Sequence, residues 1–113
     1  MPNMHFHTNI EVTKEQKTEI KKAFAESIAL IPGKSEKWLM VIIEDGVSMY
    51  LGGSDEPCAM VTVELLGSAS GEVYEKVTAD VTRKLNALLG IAPERIYTKY
   101  SEFTHWGYNG EHF

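Results

Sequence analysis

The sequence predicts an α+β two-layer sandwich, in which two helices pack on one face of a four-stranded mixed sheet. Two segments with helical periodicity each lie between two segments with strand-like patterning, giving two strand–helix–strand units. The candidate helix caps Thr13 and Ser70 are 57 residues apart, and so are the candidate helix stops Gly33 and Gly90. Because caps, stops and strands agree at one spacing, the pattern indicates a tandem βαβ repeat.

The first unit begins with a strand over residues 3–8, where apolar and polar side chains alternate. Thr13 opens a capping-box pattern for a helix that ends by Gly33. The continuous apolar run 38–43 predicts a buried strand, and a turn then leads to a short segment over 47–51. The apolar face of this helix should consist of Ile20, Ala23, Phe24, Ile28 and Ile31.

The second unit repeats this order. Residues 59–66 have the pattern of a strand, Ser70 caps a second helix, and Gly90 ends it before a last main strand over 95–100. The apolar face of the second helix should consist of Val73, Val77, Val81, Leu85 and Leu88.

One domain over residues 1–113 is expected, with repeat units over about 2–51 and 58–113. The run 38–43 is apolar at consecutive positions, so both faces of its strand need cover, whereas two helices cover only one face of the sheet. The other face must therefore meet another surface, and a second copy of the chain is the expected partner.

Composition excludes several classes of protein. The net charge is −5 and the 11 basic residues are scattered, which argues against a nucleic-acid partner. The single cysteine, Cys58, excludes an intrachain disulfide framework and a zinc site made of paired thiolates. No apolar run is long enough for membrane insertion, and the first residues lack the pattern of a secretion signal. We expect a cytoplasmic protein, with secretion without a signal peptide as the open alternative.

Five short motifs, none specific alone, occur in a characteristic order: Met1-Pro2, Gly33-Lys34, Gly52-Gly53-Ser54-Asp55-Glu56-Pro57-Cys58, Pro93-Glu94-Arg95-Ile96-Tyr97, and Trp106-Gly107-Tyr108-Asn109-Gly110 before Phe113. In this order and spacing the chain resembles the macrophage migration inhibitory factor branch of the tautomerase superfamily over essentially its whole length. The resemblance implies a symmetric homotrimer whose sheets enclose a central channel. Residues 47–51 and the segment 106–108 would then extend the sheets of neighbouring subunits.

The resemblance also implies an isomerase of the phenylpyruvate tautomerase or dopachrome isomerase type, with Pro2 as the general base after removal of Met1. An N-terminal proline has a secondary amine, whereas a peptide-bonded proline has no basic nitrogen. An ordinary α-amino group titrates near about 7.7–8.0, and burial or a nearby cation lowers that pKa. A base near neutrality suits proton abstraction beside a carbonyl. The alternative is that Pro2 only begins a strand.

Three further residues match substrate-binding positions of the family. Lys34 would bind the substrate carboxylate and keep the Pro2 amine neutral, although a lysine after a helix stop is usually solvated. Leu66 would contact substrate through its backbone N–H, or would simply end a buried strand. Tyr97 would be donated by the neighbouring subunit, or would pack in the core as a strand aromatic.

The C-terminal aromatics Trp106, Tyr108 and Phe113 match the wall that would hold a phenyl ring, and trimer packing is the alternative role. The implied reaction needs neither an organic cofactor nor a metal. The expected substrates are phenylpyruvate-like 2-oxo acids, with dopachrome esters as artificial probes.

The chain departs from the family pattern at three positions. Lys99 stands where the family has an asparagine; as a substrate-binding candidate it would strengthen carboxylate binding, or it would point to solvent, and this leaves substrate preference open. Asn3 should make the pocket floor more polar. Cys58 lacks the second cysteine of the Cys-x-x-Cys found in some members, so a dithiol exchange cycle is not expected. His5 and His7 share one face of the first strand, but the sequence shows no carboxylate or cysteine set to complete a metal site.

Two other functions stay open. One is a secreted, cytokine-like signalling or host-modulating protein that binds a cell-surface receptor and keeps a vestigial tautomerase pocket. The other is a superfamily enzyme acting on a different acid, which the presence of only two arginines, Arg83 and Arg95, argues against.

Overall fold

The two halves of the chain have the same order of elements in the computed structural model, which describes residues 1–113. The main elements are β1 (Pro2–Thr8), α1 (Lys14–Ile28), β2 (Met40–Glu44), β3 (Ala59–Leu66), α2 (Gly71–Leu89) and β4 (Ile96–Phe103). Short 3₁₀ turns, Glu36–Trp38 and Pro93–Arg95, precede β2 and β4, and a C-terminal hairpin pairs β5 (Gly107–Tyr108) with β6 (Glu111–His112). Neither helix combines the length and apolar character that a membrane span requires.

The four main strands form one mixed sheet in the order β2-β1-β3-β4. Each βαβ unit contributes a parallel pair, β1 with β2 and β3 with β4, and the two units join through the antiparallel pair β1 and β3. The starts of β1 and β3, and of α1 and α2, are 57 residues apart. The predicted sandwich with a tandem βαβ repeat is confirmed.

The core lies between the sheet and the two helices. Burial alternates along β1 and β3, so that Met4, Phe6, Val61 and Val63 face the helices and are inaccessible to solvent. Alternate residues of a strand point to opposite faces, so one sheet face is apolar and covered. The helices contribute Ile20, Phe24, Ile28, Val77, Val81 and Leu85 to the same cluster.

The helix caps predicted from sequence are present. The Thr13 hydroxyl accepts from the Gln16 backbone N–H at 3.1 Å, and the Gln16 side chain accepts from the Thr13 backbone N–H at 2.9 Å. Ser70 caps α2 by accepting from Val73, and α2 stops at Gly90 in the left-handed conformation at φ 71°. Glycine adopts the left-handed backbone conformation at little energetic cost, which explains why α2 ends at this residue.

The first helix ends earlier than predicted. It stops at Ile28 rather than near Gly33, although Ile31 is still buried. Pro32 has no N–H to donate to the carbonyl of Ile28, and a proline disfavours helical backbone in the residue before it. The helix therefore ends before the proline while its apolar side continues into the core.

The segment over 38–51 differs most from the prediction. Trp38 lies in a 3₁₀ turn, and β2 begins only at Met40, whose side chain is 62% exposed. The strand is not fully buried, because β2 is the edge of the sheet and its outer face has no cover within one chain. Residues 47–51 form no strand: the Val47 N–H donates to the Thr8 carbonyl at 3.1 Å and Leu51 bridges to Ser54, but these contacts do not continue into a ladder.

Candidate active site

Pro2, Lys34 and Leu66 meet at one end of the sheet. Pro2 begins β1 opposite Leu65 of β3, and the next residue, Leu66, donates its backbone N–H to the Met1 carbonyl at 3.1 Å. The Lys34 ammonium donates to the Leu66 carbonyl at 2.7 Å. Leu66 therefore links two parts of the site, since its carbonyl accepts from Lys34 and its N–H donates to the residue that precedes Pro2.

The topology explains this meeting. Antiparallel pairing puts the start of β1 beside the end of β3, and the loop after α1 brings Lys34 to the same edge. Gly33, at φ 81°, allows the tight turn in which the Lys34 N–H donates to the Ile31 carbonyl at 3.0 Å. The Gly33-Lys34 pair thus aims the ammonium at the chain start.

The surroundings of the N-terminal amine disfavour positive charge. Burial lowers the pKa of the Met1 amino group below its ordinary value of 8.0, and the charge of Lys34 and a hydrogen bond to it lower that pKa further. The Pro2 nitrogen is itself in the peptide bond with Met1 and has no basic lone pair in this form. The position is therefore suited to a neutral amine.

A cleft of about 630 Å³ opens beside the chain start. Met1, Pro2 and Asn3 form part of its wall, and the rest is mainly Trp38, Met40, Ile42, Trp106 and Tyr108. Trp38 and Tyr108 pack edge to face with ring centroids 5.2 Å apart. An apolar, aromatic cleft with few polar groups is the usual form of a site for a small ring-bearing ligand.

The C-terminal segment closes one side of this cleft. Trp106 and Phe113 exchange two backbone hydrogen bonds, at 3.0 and 2.8 Å, which hold the hairpin together. Trp106 and Tyr108 line the cleft, whereas Phe113 contacts Tyr108 at a centroid distance of 6.5 Å without lining the cleft itself. Asn3 adds a polar group and donates to Glu64 at 2.9 Å.

Tyr97 and Lys99 lie away from Pro2 within one chain. Tyr97 is beside Met60 of β3, five strand positions from Leu65, which corresponds to about 17 Å at 3.3 Å per residue. Lys99 is beside Thr62, about 10 Å away by the same spacing. The Tyr97 side chain is 52% exposed and lines a separate apolar pocket with Met49, Tyr50 and Cys58. A single chain therefore supplies only part of the predicted site.

The family is decided by comparison with known proteins. The family model described as macrophage migration inhibitory factor (MIF) matches residues 1–113. The chain belongs to the MIF family. A macrophage migration inhibitory factor homolog from Trichuris trichiura is 30% identical over 115 residues and covers 100% of both chains. D-dopachrome decarboxylase-B from Xenopus laevis is 28% identical and covers 97% of this chain and 95% of its own length.

The fold is also that of solved MIF proteins. The crystal structure of Leishmania major MIF2 superposes with a TM-score of 0.93 at 26% identity, covering 100% of this chain and 97% of that one. The fold and the family predicted from sequence are therefore both confirmed.

Sequence reasoning missed one wall of the cleft in this MIF family member. Trp38 was expected inside a buried strand, but it is exposed in a 3₁₀ turn and faces Tyr108. Lys37 lies over the Trp38 ring, with its ammonium 5.1 Å from the ring centroid. The closeness of Trp38 to Lys34 in sequence was the available signal, since one short loop carries both to the same edge.

A second difference concerns the histidines. Sequence reasoning found no carboxylate to accompany His5 and His7 on β1. Parallel pairing of β1 with β2 places Glu44 beside His7, and the ligand atoms of these three side chains lie within 4.8 Å of one another. The missing group is distant in sequence and is supplied only by strand register.

Proposed function

We propose that this chain is a cofactor-independent keto–enol tautomerase that acts on phenylpyruvate-like 2-oxo acids, with the Pro2 amine as general base after removal of Met1. Membership of the MIF family supports tautomerase-type chemistry in general. The Lys34 ammonium lies on the Leu66 carbonyl and the Leu66 N–H on the Met1 carbonyl, so both groups are at the chain start, where Pro2 lines an aromatic cleft; this supports the more specific mechanism.

Removal of Met1 would change two groups at once. It would convert the Pro2 nitrogen from an amide into a secondary amine, one residue from the Met1 amine whose pKa burial and Lys34 lower. It would also remove the Met1 carbonyl that now accepts from the Leu66 N–H. The freed N–H would then be available to donate to a substrate oxygen.

The proton transfer follows from these groups. The Pro2 nitrogen takes a proton from the carbon next to the ketone, the electron pair of that C–H bond forms the new C=C bond, and charge moves onto the ketone oxygen. Return of the proton to that oxygen gives the enol, and the reverse sequence restores the keto form. Lys34 would balance the substrate carboxylate, while Trp38, Trp106 and Tyr108 hold the ring.

The site is completed by a neighbouring subunit in our proposal. Tyr97 and Lys99 lie on the outer face of the sheet, and Met40 and Phe103 on that face are also exposed. Exposed apolar residues on an uncovered sheet face support self-association, and a homotrimer would let Tyr97 of one chain approach Pro2 of the next. Light scattering should give three times the 12.7 kDa chain mass. A monomer at micromolar concentration would contradict this part.

The test is tautomerisation of phenylpyruvate by protein whose loss of Met1 is verified by intact mass. Pro2→Gly replaces the rigid secondary amine by a flexible primary amine, so kcat/KM should fall by roughly 100-fold, the lower end of the range of about 10²–10⁴-fold that a positioned base contributes. Pro57→Ala, in an exposed loop at the other end of the sheet, is the matched control and should keep full activity. Wild-type activity in the Pro2→Gly protein would refute the assignment of the base.

The same Pro2→Gly variant also tests two further hypotheses, a second substrate and a receptor-binding function. The relatives named D-dopachrome decarboxylase make D-dopachrome a second substrate to assay. The receptor-binding function stays a prediction, as does the cytoplasmic location. A Pro2→Gly protein that loses tautomerisation but keeps receptor binding would show that the two functions use different surfaces.

A further inference from the structure

Three side chains on the outer face of the sheet bring their potential ligand atoms close together. They are His5 and His7 of β1 and Glu44 of β2, and their ligand atoms all lie within 4.8 Å of one another. We propose that this triplet binds one divalent transition-metal ion of the Zn²⁺ class, through two imidazole nitrogens and one carboxylate oxygen. The site is separate from the cleft at Pro2, and the proposal does not rest on the proposed tautomerase function.

The geometry is close to that of a three-ligand site. The His5 and His7 Nε2 atoms lie 2.5 and 3.5 Å from the same Glu44 oxygen, and the two rings stack with centroids 4.1 Å apart. Zinc binds nitrogen and carboxylate oxygen at about 2.0–2.2 Å, so tetrahedral ligand atoms are roughly 3.3 Å apart. A withdrawal of the Glu44 carboxylate from His5 by about 1 Å, with rotation of one of the stacked rings so that both Nε2 lone pairs point to one centre, would therefore admit the ion.

The backbone holds the three residues in this arrangement. His5 and His7 are two positions apart on a strand and so share a face, and parallel register puts Glu44 directly beside His7. Strand β1 is hydrogen-bonded on both sides, to β2 and to β3. The ligands thus project from a rigid element, which lowers the cost of ordering them around an ion.

Access and local charge also favour a cation. In the single chain the side chains of His5, His7 and Glu44 are 25%, 32% and 49% exposed, which leaves room for an ion with a water ligand. On the adjacent strand β3 the residues beside the two histidines are Thr62 and Met60, neither of which is positively charged. Two imidazoles with one carboxylate are ligands that suit borderline ions such as Zn²⁺.

The ion would join β1 to β2 and would not reach the Pro2 nitrogen. His5 is three strand positions from Pro2, which corresponds to about 10 Å along the strand. The expected consequence is stabilisation of the folded chain, because a ligand that binds only the folded state raises its stability. This readout is independent of any enzyme activity.

The experiment is a Zn²⁺ titration of metal-stripped full-length protein by competition with a chromogenic chelator. The expected result is one ion per chain and a rise in Tm with Zn²⁺. His5→Asn with His7→Asn and Glu44→Gln should weaken binding by about 100-fold or more, since even loss of an outer-shell partner costs roughly 10–100-fold. Glu44→Gln alone, on the exposed edge strand, is the second variant if the triple variant folds poorly.

The chain provides a matched control in another histidine pair. His105 and His112 lie 2.8 Å apart in the C-terminal hairpin, and no carboxylate joins them in a comparable cluster. His105→Asn with His112→Asn should leave the Zn²⁺ affinity and the Tm rise unchanged. Equal Zn²⁺ affinity in wild type and Glu44→Gln would overturn the proposal and leave a plain His–Glu hydrogen bond. Loss of Zn²⁺ binding in the His105→Asn, His112→Asn variant, or a stoichiometry of one ion per three chains, would also overturn the proposal.

Discussion

Retention of Met1 should abolish most of the proposed tautomerase activity without altering any side chain of the site. With Met1 present, the Pro2 nitrogen is an amide and cannot accept a proton. The Met1 carbonyl also occupies the Leu66 N–H at 3.1 Å, and Met1 itself lines the cleft. One extra residue therefore removes the base, blocks a donor and fills part of the binding space.

The size of the effect follows from these losses. A positioned general base contributes about 10²–10⁴-fold, and one hydrogen-bond donor to a developing oxyanion contributes about 10²–10³-fold. Groups that act together are not additive, so the product overstates the loss. We expect kcat/KM to fall by at least about 100-fold, with the upper range near 10⁴-fold if the base dominates.

The assay compares two forms of the same sequence. Protein made with methionine aminopeptidase inhibited is checked by intact mass, assayed with phenylpyruvate, and then treated with purified aminopeptidase and assayed again. Activity should rise in proportion to the fraction of chains that lose Met1. Activity of the Met1-bearing protein within about threefold of the processed form would refute the reasoning, because no basic nitrogen would be present at Pro2.

Three further changes test other parts of the molecule. Lys34→Gln should raise the KM for phenylpyruvate and move the acid limb of the kcat/KM profile to higher pH, because loss of a positive charge raises the pKa of a neighbouring amine. Trp38→Ala should raise the KM roughly 2- to 13-fold, since an aromatic contact contributes about 0.5–1.5 kcal/mol. Asp80→Asn should lower the free energy of unfolding in urea by about 1.5–3 kcal/mol at pH 7. Burial raises the pKa of Asp80, but hydrogen bonds from Lys84 and Ser27 outweigh it and hold the pKa below 3.8. The stabilisation is thus present above about pH 4 and is lost as the pH falls through the folded-state pKa, so the difference from wild type should shrink there.

Each change has its own control. Lys21→Gln, on the exposed side of α1, should leave the pH profile in place, and an unshifted profile for Lys34→Gln would contradict its role beside the amine. The KM for an aliphatic 2-oxo acid should change little in Trp38→Ala. An equal rise in KM for both substrates would argue against binding of the phenyl ring by Trp38. Asp55→Asn, in an exposed loop, should not change the unfolding midpoint; a pH-independent loss in Asp80→Asn would indicate a packing effect instead.

Local patterns predicted the regular elements well, because their causes are local. The Thr13 and Ser70 caps, the Gly90 stop and the alternation of β1 and β3 depend on residues within a few positions of one another. The predictions were wrong where the environment of a strand depends on residues that are distant in the sequence. Residues 38–43 were expected to be buried, but burial of an edge strand depends on what covers its outer face.

The residues of the candidate site also fall into two groups, those that the sequence could predict and those that it could not. Pro2, Lys34 and Leu66 could be selected through a family resemblance, since that resemblance carries positions along the chain. Trp38 and Glu44 could not be selected, because an exposed 3₁₀ turn and a parallel register bring them to their neighbours. Tyr97 illustrates a further limit, since within one chain it lies about 17 Å along the sheet from the end where Pro2 begins.

The sequence by itself determined the two amphipathic helices, the strand pattern, the 57-residue repeat and the family, because hydrophobic period, capping residues and ordered motifs are properties of the chain. Only the tertiary structure decided which groups meet. Antiparallel pairing of β1 with β3 brings the Leu66 N–H to Met1, and parallel pairing of β1 with β2 brings Glu44 to the histidines. Strand register has no local signature, since backbone hydrogen bonds are the same for every residue and only packing across the sheet selects one alignment.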